Sequence, residues 1–388
     1  MDNGLESPKF PQKITDELNR LAENDQLRAL KGSRDLPYDL TSNDYLGLGQ
    51  SQGQIEGSEP NGSGGSRLLS GDLDLHLELE QFASKYFRAP AALFFNSGYH
   101  ANLGLLSAIA GRHDTFLYDE KVHASIKEGM RLSPARKWSF PHQDLGALER
   151  LLDKCTGTAY VIVEGLYSMD GDLADLPALA KLLEGRDAWL IVDEAHSTGL
   201  YGPQGAGLTC HYGLEDKVLA RIHTFGKAAA WVGATIVGSR PLIQYLVNKA
   251  RAFIYTTAFP PVVVGTLHQR LQAMRNADQQ REQLRINCEL AHQLIFASKV
   301  GQQLLQSPPE QGPGLFSPII PVVIPGNSRV KKIAQELQQM GFDVRPILSP
   351  TVPEGQERLR VIVHSHNTPQ EIDLFADTLH LHLAALST

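Results

Sequence analysis

Between residues 90 and 240 the chain alternates short, continuously apolar runs with segments of helical spacing. The runs lie at residues 91–95, 160–163, 189–192, 218–222 and 234–237. Continuous apolar runs of this length are typical of strands that are buried on both faces. Parallel strands of this kind need crossover helices between them. The alternation therefore predicts an α/β protein with a mostly parallel sheet flanked by helices.

The sequence changes character on either side of this region. Residues 1–40 are polar, with leucines at helical spacing, and predict an N-terminal helical arm. Residues 41–270 are predicted to form a large α/β domain, and residues 271–388 a smaller C-terminal α+β domain.

The C-terminal part predicts several elements. They are a long helix over 265–305, strands at 319–324, 344–347 and 359–363, and two further helices. One helix is predicted to begin at Asn327, to bury Met340 and to end at Gly341, where a left-handed residue is wanted. The last helix opens with Thr368 and Glu371, whose spacing is that of a capping box.

Composition excludes several classes of protein. The chain has 388 residues with 36 basic and 43 acidic side chains, a net charge of −7, which disfavours a nucleic-acid binder. Its three scattered cysteines form no CxxC pair, so we expect neither a disulfide framework nor a metal site. No run of about 18 apolar residues occurs. We therefore expect a cytoplasmic protein without a membrane or nucleic-acid partner.

Polar residues follow the predicted strands at the edge where parallel α/β sheets bind ligands. Gly98 lies in a small-residue turn that opens a helix, which is either a phosphate site or a plain turn. Glu164 and Ser168 follow the run at 160–163. Asp193 follows the run at 189–192 with His196 three positions on, and this pair is either functional or a satisfied core pair.

A lysine completes this pattern. Lys227 comes shortly after the run at 218–222, and it is either a snorkelling surface residue or a desolvated amine able to form a Schiff base. Pyridoxal phosphate needs a phosphate cradle, a carboxylate for its pyridine nitrogen and a lysine for its aldehyde. Gly98, Asp193 and Lys227 supply these in order, so the joint pattern predicts this cofactor.

The sequence resembles the α-oxoamine synthases, a family of fold-type-I pyridoxal phosphate enzymes. The resemblance runs from Leu40 to Arg360. It rests on the motifs GSGGSR at 62–67, SGYHAN at 97–102, SMDGD at 168–172, DEAHSTG at 193–199 and TFGK at 224–227. It implies a homodimer whose active sites are shared between the subunits.

The resemblance also implies roles for individual residues. Four catalytic residues are implied: Lys227 to bind the cofactor, Asp193 to pair with its pyridine nitrogen, His196 to bond its phenolic oxygen, and His123 to stack on its ring. The other implied cofactor contacts are Gly98, Tyr99, Glu164, Ser168, Thr224, Thr256 and Thr257, with the two threonines reaching the neighbouring subunit. The implied substrate-binding residues are Arg28, Asn43, Thr351 and Arg360. Arg28 fits a solvated helix face equally well.

Two short segments are similar to one branch of the family. They are IYTT at 254–257 and PTVP at 350–353. That branch condenses L-alanine with a pimeloyl thioester of coenzyme A or acyl carrier protein, with loss of CO2, in biotin biosynthesis. The alternatives are glycine or serine with another acyl-CoA. A non-catalytic partner subunit of such an enzyme would lack the lysine that is present at position 227.

One position departs from the family pattern. Ala230 stands where a glycine is usual, shortly after Lys227. Glycine readily adopts positive φ angles and alanine resists them. We therefore expect the loop after Lys227 to be reshaped.

Overall fold

The computed structural model describes residues 19–24, 36–48, 62–297, 301–302, 305 and 315–385. Its strands, in chain order, are β1 Tyr38–Asp39, β2 Ala91–Phe95, β3 Thr115–Asp119, β4 Arg136–Phe140, β5 Ala159–Glu164, β6 Ala188–Asp193, β7 Val218–Thr224, β8 Ala234–Gly238, β9 Ile319–Val323, β10 Phe342–Asp343, β11 Arg345–Ile347 and β12 Arg358–Ile362. The longer helices are Asp74–Tyr86, Gly98–Ile109, Ala124–Arg131, Leu145–Leu152, Leu176–Leu183, Arg240–Lys249, Pro261–Arg275, Asp278–Phe296, Asn327–Gln339 and Pro369–Ala385. Short turns of helix lie at Pro203–Gly205, Leu208–His211 and Arg251–Ile254.

Within the described residues, seven strands form the central sheet, in the order β2-β8-β7-β6-β5-β3-β4. The β3–β4, β3–β5, β5–β6 and β6–β7 pairs are parallel, and β8 runs antiparallel to both of its neighbours, β2 and β7. Six of the seven strands therefore point in one direction. Together with the flanking helices, this confirms the predicted mostly parallel α/β architecture.

The sheet is covered on both faces, which explains the continuous apolar runs. Successive side chains of a strand point to opposite faces. Val161 and Val192 accordingly belong to the hydrophobic core on one face. Ile162 and Ile191 belong to the core on the other. The inner positions of β5 and β6 are therefore apolar on both faces and show no polar alternation, and Glu164 and Asp193 come at the ends of these strands.

Two strands of the sheet were not predicted. β3 lies in the interior, and its sequence Thr-Phe-Leu-Tyr-Asp is bounded by polar residues that shorten the apolar run. β4 lies at the edge with β3 as its partner, and its sequence Arg-Lys-Trp-Ser-Phe is largely exposed. An edge strand with one solvated side needs no continuous apolar run, so the pattern that revealed the inner strands does not extend to it.

The long helix predicted over 265–305 is wrong in one respect, since it is two helices, Pro261–Arg275 and Asp278–Phe296. The break is stabilised by Arg281, whose guanidinium donates to the Met274 carbonyl at 2.7 Å and to the Arg275 carbonyl at 3.1 Å. These carbonyls lack helical partners, because the first helix ends there. The predicted domain boundary at residue 270 falls inside the first of these helices, and the division into domains stays a prediction.

A second, smaller sheet lies in the C-terminal part, with the antiparallel order β11-β12-β9. The helix Asn327–Gln339 lies between β9 and β10. It ends as predicted, with Gly341 in the left-handed region at φ +96°. Two details differ from the prediction. Met340 is the helix C-cap and is 57% exposed, and Gly326 rather than Asn327 occupies the N-cap. The Asn327 side chain instead accepts a hydrogen bond from the Ser349 backbone N–H at 3.1 Å.

The N-terminal arm predicted for residues 1–40 lies mostly outside the described residues. Residues 36–48 are described, and they join the C-terminal part of the molecule. β1 pairs in parallel with β10, and the Tyr38 ring stacks on Phe342 with centroids 5.0 Å apart. A search of the described helices found none with the length and apolarity that a bilayer crossing requires.

The capping box of the last helix predicts the effect of a substitution. The Thr368 hydroxyl accepts from the Glu371 N–H at 3.2 Å, and the Glu371 carboxylate accepts from the Thr368 N–H at 2.8 Å. We expect Thr368→Ala to lower the free energy of unfolding by about 1 kcal/mol. Thr368→Ser is the matched control and should stay close to wild type in urea titrations. Equal stability of the alanine variant and wild type would contradict this role.

Candidate active site

A cavity of about 380 Å³ opens at the carboxyl ends of the parallel strands. Its walls come from the turn after β2, the ends of β5, β6 and β7, and the loop after β7. It brings together nine of the residues predicted from the sequence: Asn43, Gly98, Tyr99, His123, Glu164, Asp193, His196, Thr224 and Lys227. Residues more than 180 positions apart in the chain therefore converge on one site.

Lys227 lies on the wall of this cavity, on the loop after β7. Its Nζ atom donates to the Thr224 hydroxyl at 3.4 Å. The amine lies deep enough that burial lowers its pKa, although the negative charges of Asp193 and Glu164 act in the opposite direction. A lowered pKa makes the neutral, nucleophilic form of the amine easier to reach.

Asp193 is held by two hydrogen bonds at the end of β6. It is 3% exposed, and it accepts from the Asn102 side-chain amide and from the Ala195 backbone N–H, both at 2.9 Å. The Asn102 amide also donates to Ser125 Oγ at 3.0 Å, and this hydroxyl lies 2.8 Å from Nδ1 of His123. A hydrogen-bonded chain therefore connects the predicted carboxylate to the predicted stacking histidine.

Sequence reasoning gave Asn102 and Ser125 no role. Asn102 is the last residue of the motif at 97–102, so its membership of a motif was the available signal. It is 2% exposed, and a buried asparagine in an otherwise apolar helix requires polar partners.

Glu164 ends β5 next to Asp193. Burial raises the pKa of Glu164 to about 8, and the charge of Asp193 adds to the effect. Its Oε2 atom accepts from the Ser168 backbone N–H at 3.2 Å, while its buried Oε1 atom has no hydrogen-bond partner in the part of the chain that the structure describes. In its neutral form Glu164 can donate a hydrogen bond into the cavity.

His196 is buried and neutral. Burial lowers its pKa well below the usual range, and the positive charge of Lys227 acts in the same direction. Its Nδ1 atom lies 2.6 Å from the Tyr45 hydroxyl, which in turn lies 3.2 Å from Oδ1 of Asn43. Tyr45 was not predicted as a site residue. It is fully buried and fixes the orientation of the imidazole ring.

Arg360 reaches the site from β12 of the smaller sheet. Its Nε atom donates to the Ser168 carbonyl at 2.7 Å, and its Nη2 atom donates to Oδ1 of Asn43 at 3.1 Å. Ser168 therefore contributes backbone contacts to Glu164 and Arg360 and does not line the cavity. A guanidinium fixed at two points is suited to bind a carboxylate.

The remaining predicted residues lie elsewhere. Thr256 borders a separate small pocket beside Phe253, and the Thr257 carbonyl accepts from the Asn96 side-chain amide at 3.0 Å. Thr351 is exposed and does not line the cavity. Arg28 lies outside the described residues.

The loop after Lys227 keeps the conformation of a glycine at Ala230. This residue has φ +49°, and its N–H donates to the Lys227 carbonyl at 2.7 Å. Alanine therefore accepts the left-handed conformation here, and a reshaping of the loop relative to the family stays a prediction. The turn tolerates the strain of a left-handed alanine because hydrogen bonds close it, including one from the Trp231 N–H to the Phe225 carbonyl at 2.8 Å.

The chain matches a known protein family over most of its length. The family model of class I and II aminotransferases matches residues 37–379. The chain therefore belongs to this family, whose fold type and cofactor agree with the sheet and with the lysine at its edge.

Individual relatives are more specific. An 8-amino-7-oxononanoate synthase from Marinobacter nauticus is 39% identical over 339 residues, covering 86% of this chain and 84% of the relative. One from Pseudomonas putida is 38% identical, covering 97% of this chain and 91% of the relative. A solved 8-amino-7-oxononanoate synthase from Francisella tularensis matches with a TM-score of 0.77 at 28% identity, over 91% of this chain and 99% of that chain. A solved serine palmitoyltransferase from S. paucimobilis with bound PLP and myriocin matches with a TM-score of 0.86 at 26% identity, over 97% and 98%.

These findings confirm the resemblance to the α-oxoamine synthases and the predicted cofactor, pyridoxal phosphate. The residues present fit that group. A Cβ atom on Gly98 would lie 2.4 Å from Cγ2 of Thr224, so glycine is required where the helix N-terminus meets the end of β7. The first N–H groups of that helix can hold a phosphate. The orphaned Oε1 atom of Glu164 marks a polar position that a ligand would fill.

Ala230 provides a test of the strained loop. A left-handed conformation costs an alanine about 1 kcal/mol, so we expect Ala230→Gly to raise the free energy of unfolding by about that amount. The matched control is Ala229→Gly, because Ala229 is buried and has no positive φ. This control should be less stable than wild type. Thermal and urea unfolding of both variants checks the prediction, and a destabilised Ala230→Gly protein would contradict it.

Proposed function

We propose that the protein condenses L-alanine with a pimeloyl thioester to give 8-amino-7-oxononanoate, CO2 and the free thiol carrier. The observation that carries the proposal is Arg360, fixed by Ser168 and Asn43 beside a cavity that holds Lys227 and Asp193. Such an arrangement suits an amino acid whose carboxylate is bound by the guanidinium and whose α-carbon faces the lysine. The names of the relatives in Marinobacter nauticus and Pseudomonas putida support the choice of substrates.

Bound pyridoxal phosphate supplies an electron sink for the bonds broken at the α-carbon. In the proposal, Lys227 would hold its aldehyde and Asp193 would be the partner of its ring nitrogen. His196 and His123 would contact the ring, and Thr224 and the first N–H groups of the helix Gly98–Ile109 would bind the phosphate. Asn102 and Ala195 hold the Asp193 carboxylate in place, because both donate hydrogen bonds to it.

Lys227 would act as the base of the reaction after the amino group of the substrate has released its amine. Its Nζ atom, whose pKa burial lowers, takes the α-proton of alanine while Arg360 holds the carboxylate. The α-carbon then bonds to the thioester carbonyl carbon, and the C–S bond breaks to release the thiolate. The carboxylate leaves as CO2, and the proton held by Lys227 returns to the α-carbon.

The proposal includes a homodimer with shared active sites. Thr256 and Thr257 do not line the cavity of their own chain, and in the proposal they reach the site of a second subunit. Tyr255, next to them, is 72% exposed, and Leu69 on the nearby segment is 81% exposed. Large apolar side chains exposed near a polar site are typical of an interface.

We further propose a cytoplasmic enzyme, in line with the three free cysteines.

A second candidate uses glycine or serine with another acyl-CoA. The serine palmitoyltransferase has the higher TM-score of the two solved neighbours, 0.86 against 0.77. Sequence identity favours the first candidate, since the synthases of biotin biosynthesis reach 39% and this transferase 26%. The shape of the chain is shared by both branches, so sequence identity is the observation that separates them.

A substrate panel tests the proposal. Purified protein with pyridoxal phosphate is offered alanine, glycine or serine with pimeloyl-, acetyl- or palmitoyl-CoA, and the products are identified by mass. We expect product from alanine and pimeloyl-CoA. Lys227→Ala should lose about 10³-fold or more in turnover, and borohydride treatment should label Lys227 in wild type. Consumption of glycine or serine alone would refute the proposed substrates, and an unlabelled Lys227 would refute the mechanism.

Subunit mixing tests the shared sites. We expect sedimentation to show a dimer, and we expect Lys227→Ala alone and a Thr256→Ala/Thr257→Ala double variant alone to have low activity. A mixed dimer of the two variants has one site that carries both defects and one that carries neither. Mixing should therefore restore part of the activity. No recovery after verified subunit exchange would show that each site is built from one chain.

A further inference from the structure

Loop 168–172, which follows β5, contacts the smaller sheet through residues 168–170. The Ser168 carbonyl accepts from Nε of Arg360 at 2.7 Å. The Met169 carbonyl and the Asp170 carboxylate accept from Nη1 of Arg358 at 3.2 and 2.8 Å. Arg358 and Arg360 both belong to β12, so the loop joins the end of the central sheet to the strand that supplies the carboxylate-binding arginine.

The other side of this loop is held by a histidine between two carboxylates. The Nε2 atom of His142 lies 2.6 Å from Asp172, and its Nδ1 atom lies 3.0 Å from both carboxylate oxygens of Asp119. A carboxylate only accepts hydrogen bonds, so both ring nitrogens must donate, which requires the protonated imidazolium. Burial lowers the pKa of His142, but its hydrogen bonds to Asp119 and Asp172 outweigh this and raise it to about 9.

Asp119 anchors this arrangement to the central sheet. It is the last residue of β3, its side chain is 1% exposed, and it also accepts from the backbone N–H groups of Lys121 and Gln143 at 2.9 Å. The Lys121 amine in turn lies 3.2 Å from Asp170. Asp119 therefore cannot shift, and His142 transmits its fixed position to the loop.

We propose that His142 is a positioning residue for the amino acid substrate, because it holds loop 168–172 in the place where the Ser168 carbonyl aligns Arg360. This inference rests on the proposed function, in which Arg360 binds the substrate carboxylate. His142 does not line the cavity and touches none of the residues assigned to the cofactor. Its effect on the reaction must therefore pass through the loop.

A purely structural role and a positioning role predict different results. A structural histidine would lower stability and leave the affinity for substrates unchanged in the protein that remains folded. A positioning histidine affects the ligand that Arg360 binds, so the KM for the amino acid rises while the KM for the acyl thioester and the content of bound cofactor stay near wild type.

The first experiment titrates L-alanine into the cofactor-loaded protein without an acyl donor and follows the visible absorbance of the cofactor. We expect His142→Gln to raise the Kd for alanine by about tenfold, as a misplaced binding group does. Asp172→Asn keeps the size of the loop side chain that His142 contacts, so it should cause a smaller rise in the Kd for alanine. Val218→Ala is the control for lost stability, because Val218 is buried at the opposite end of β7. An unchanged Kd in His142→Gln, or an equal rise in Val218→Ala, would overturn the proposal.

The second experiment is a double-mutant cycle with Arg360→Ala. If His142 acts through Arg360, adding His142→Gln to the Arg360→Ala protein should change the Kd for alanine by less than twofold, whereas independent effects would multiply. Multiplying effects would overturn the proposal. If product analysis assigns another amino acid, the same cycle is run with that substrate. Failure of the proposed function and failure of this inference are therefore recorded by different measurements.

Discussion

The arrangement of this protein depends on ionisable groups that share one cavity at the strand ends. Removing a charge from water costs several kcal/mol even when the protein relaxes around it. The site limits this cost at two groups, since burial raises the pKa of Glu164 to about 8 and lowers the pKa of His196 well below its usual range. Asp193 is a further buried acid at the same strand ends. The surrounding fold then has to supply donors to Asp193, which Asn102 and Ala195 do.

These requirements explain why the central sheet alone does not complete the site. The sheet places Glu164, Asp193 and Thr224 at the ends of three adjacent strands. Lys227 lies at the same edge, in the loop that connects β7 to the antiparallel β8. The orientation of His196 depends on Tyr45, which follows β1 in the chain and lies outside the central sheet. The guanidinium of Arg360, which we propose binds the substrate carboxylate, comes from β12 of the smaller sheet. The segment after β1 and the smaller sheet therefore each contribute a polar side chain, Tyr45 and Arg360, that the central sheet does not supply.

Much of this could be predicted from the sequence, because burial on both faces leaves continuous apolar runs and because reactive groups follow those runs directly. The parts that could not be predicted share a physical cause. β4 is an edge strand without an apolar run, and the break between the helices at 261–275 and 278–296 depends on Arg281, whose partners are backbone carbonyls. Asn102 and Tyr45 act through contacts across long sequence separations, which no local period reports. Ala230 is a case where local preference misleads, since alanine disfavours a positive φ and the loop nevertheless holds it at φ +49°.

The contact between Ser168 and Arg360 uses a backbone carbonyl, so it depends on the path of the loop and not on the side chain at position 168. That path is restricted at Gly171, which has φ +69° and whose Cβ, if present, would lie 2.1 Å from the Ile319 carbonyl oxygen. It is restricted again where Asp170 and Asp172 meet their cationic partners. Chains with the same overall shape can therefore differ in how they place this arginine. The TM-scores of 0.86 to a serine palmitoyltransferase and 0.77 to an 8-amino-7-oxononanoate synthase describe a scaffold that both share, so overall shape does not distinguish their substrates.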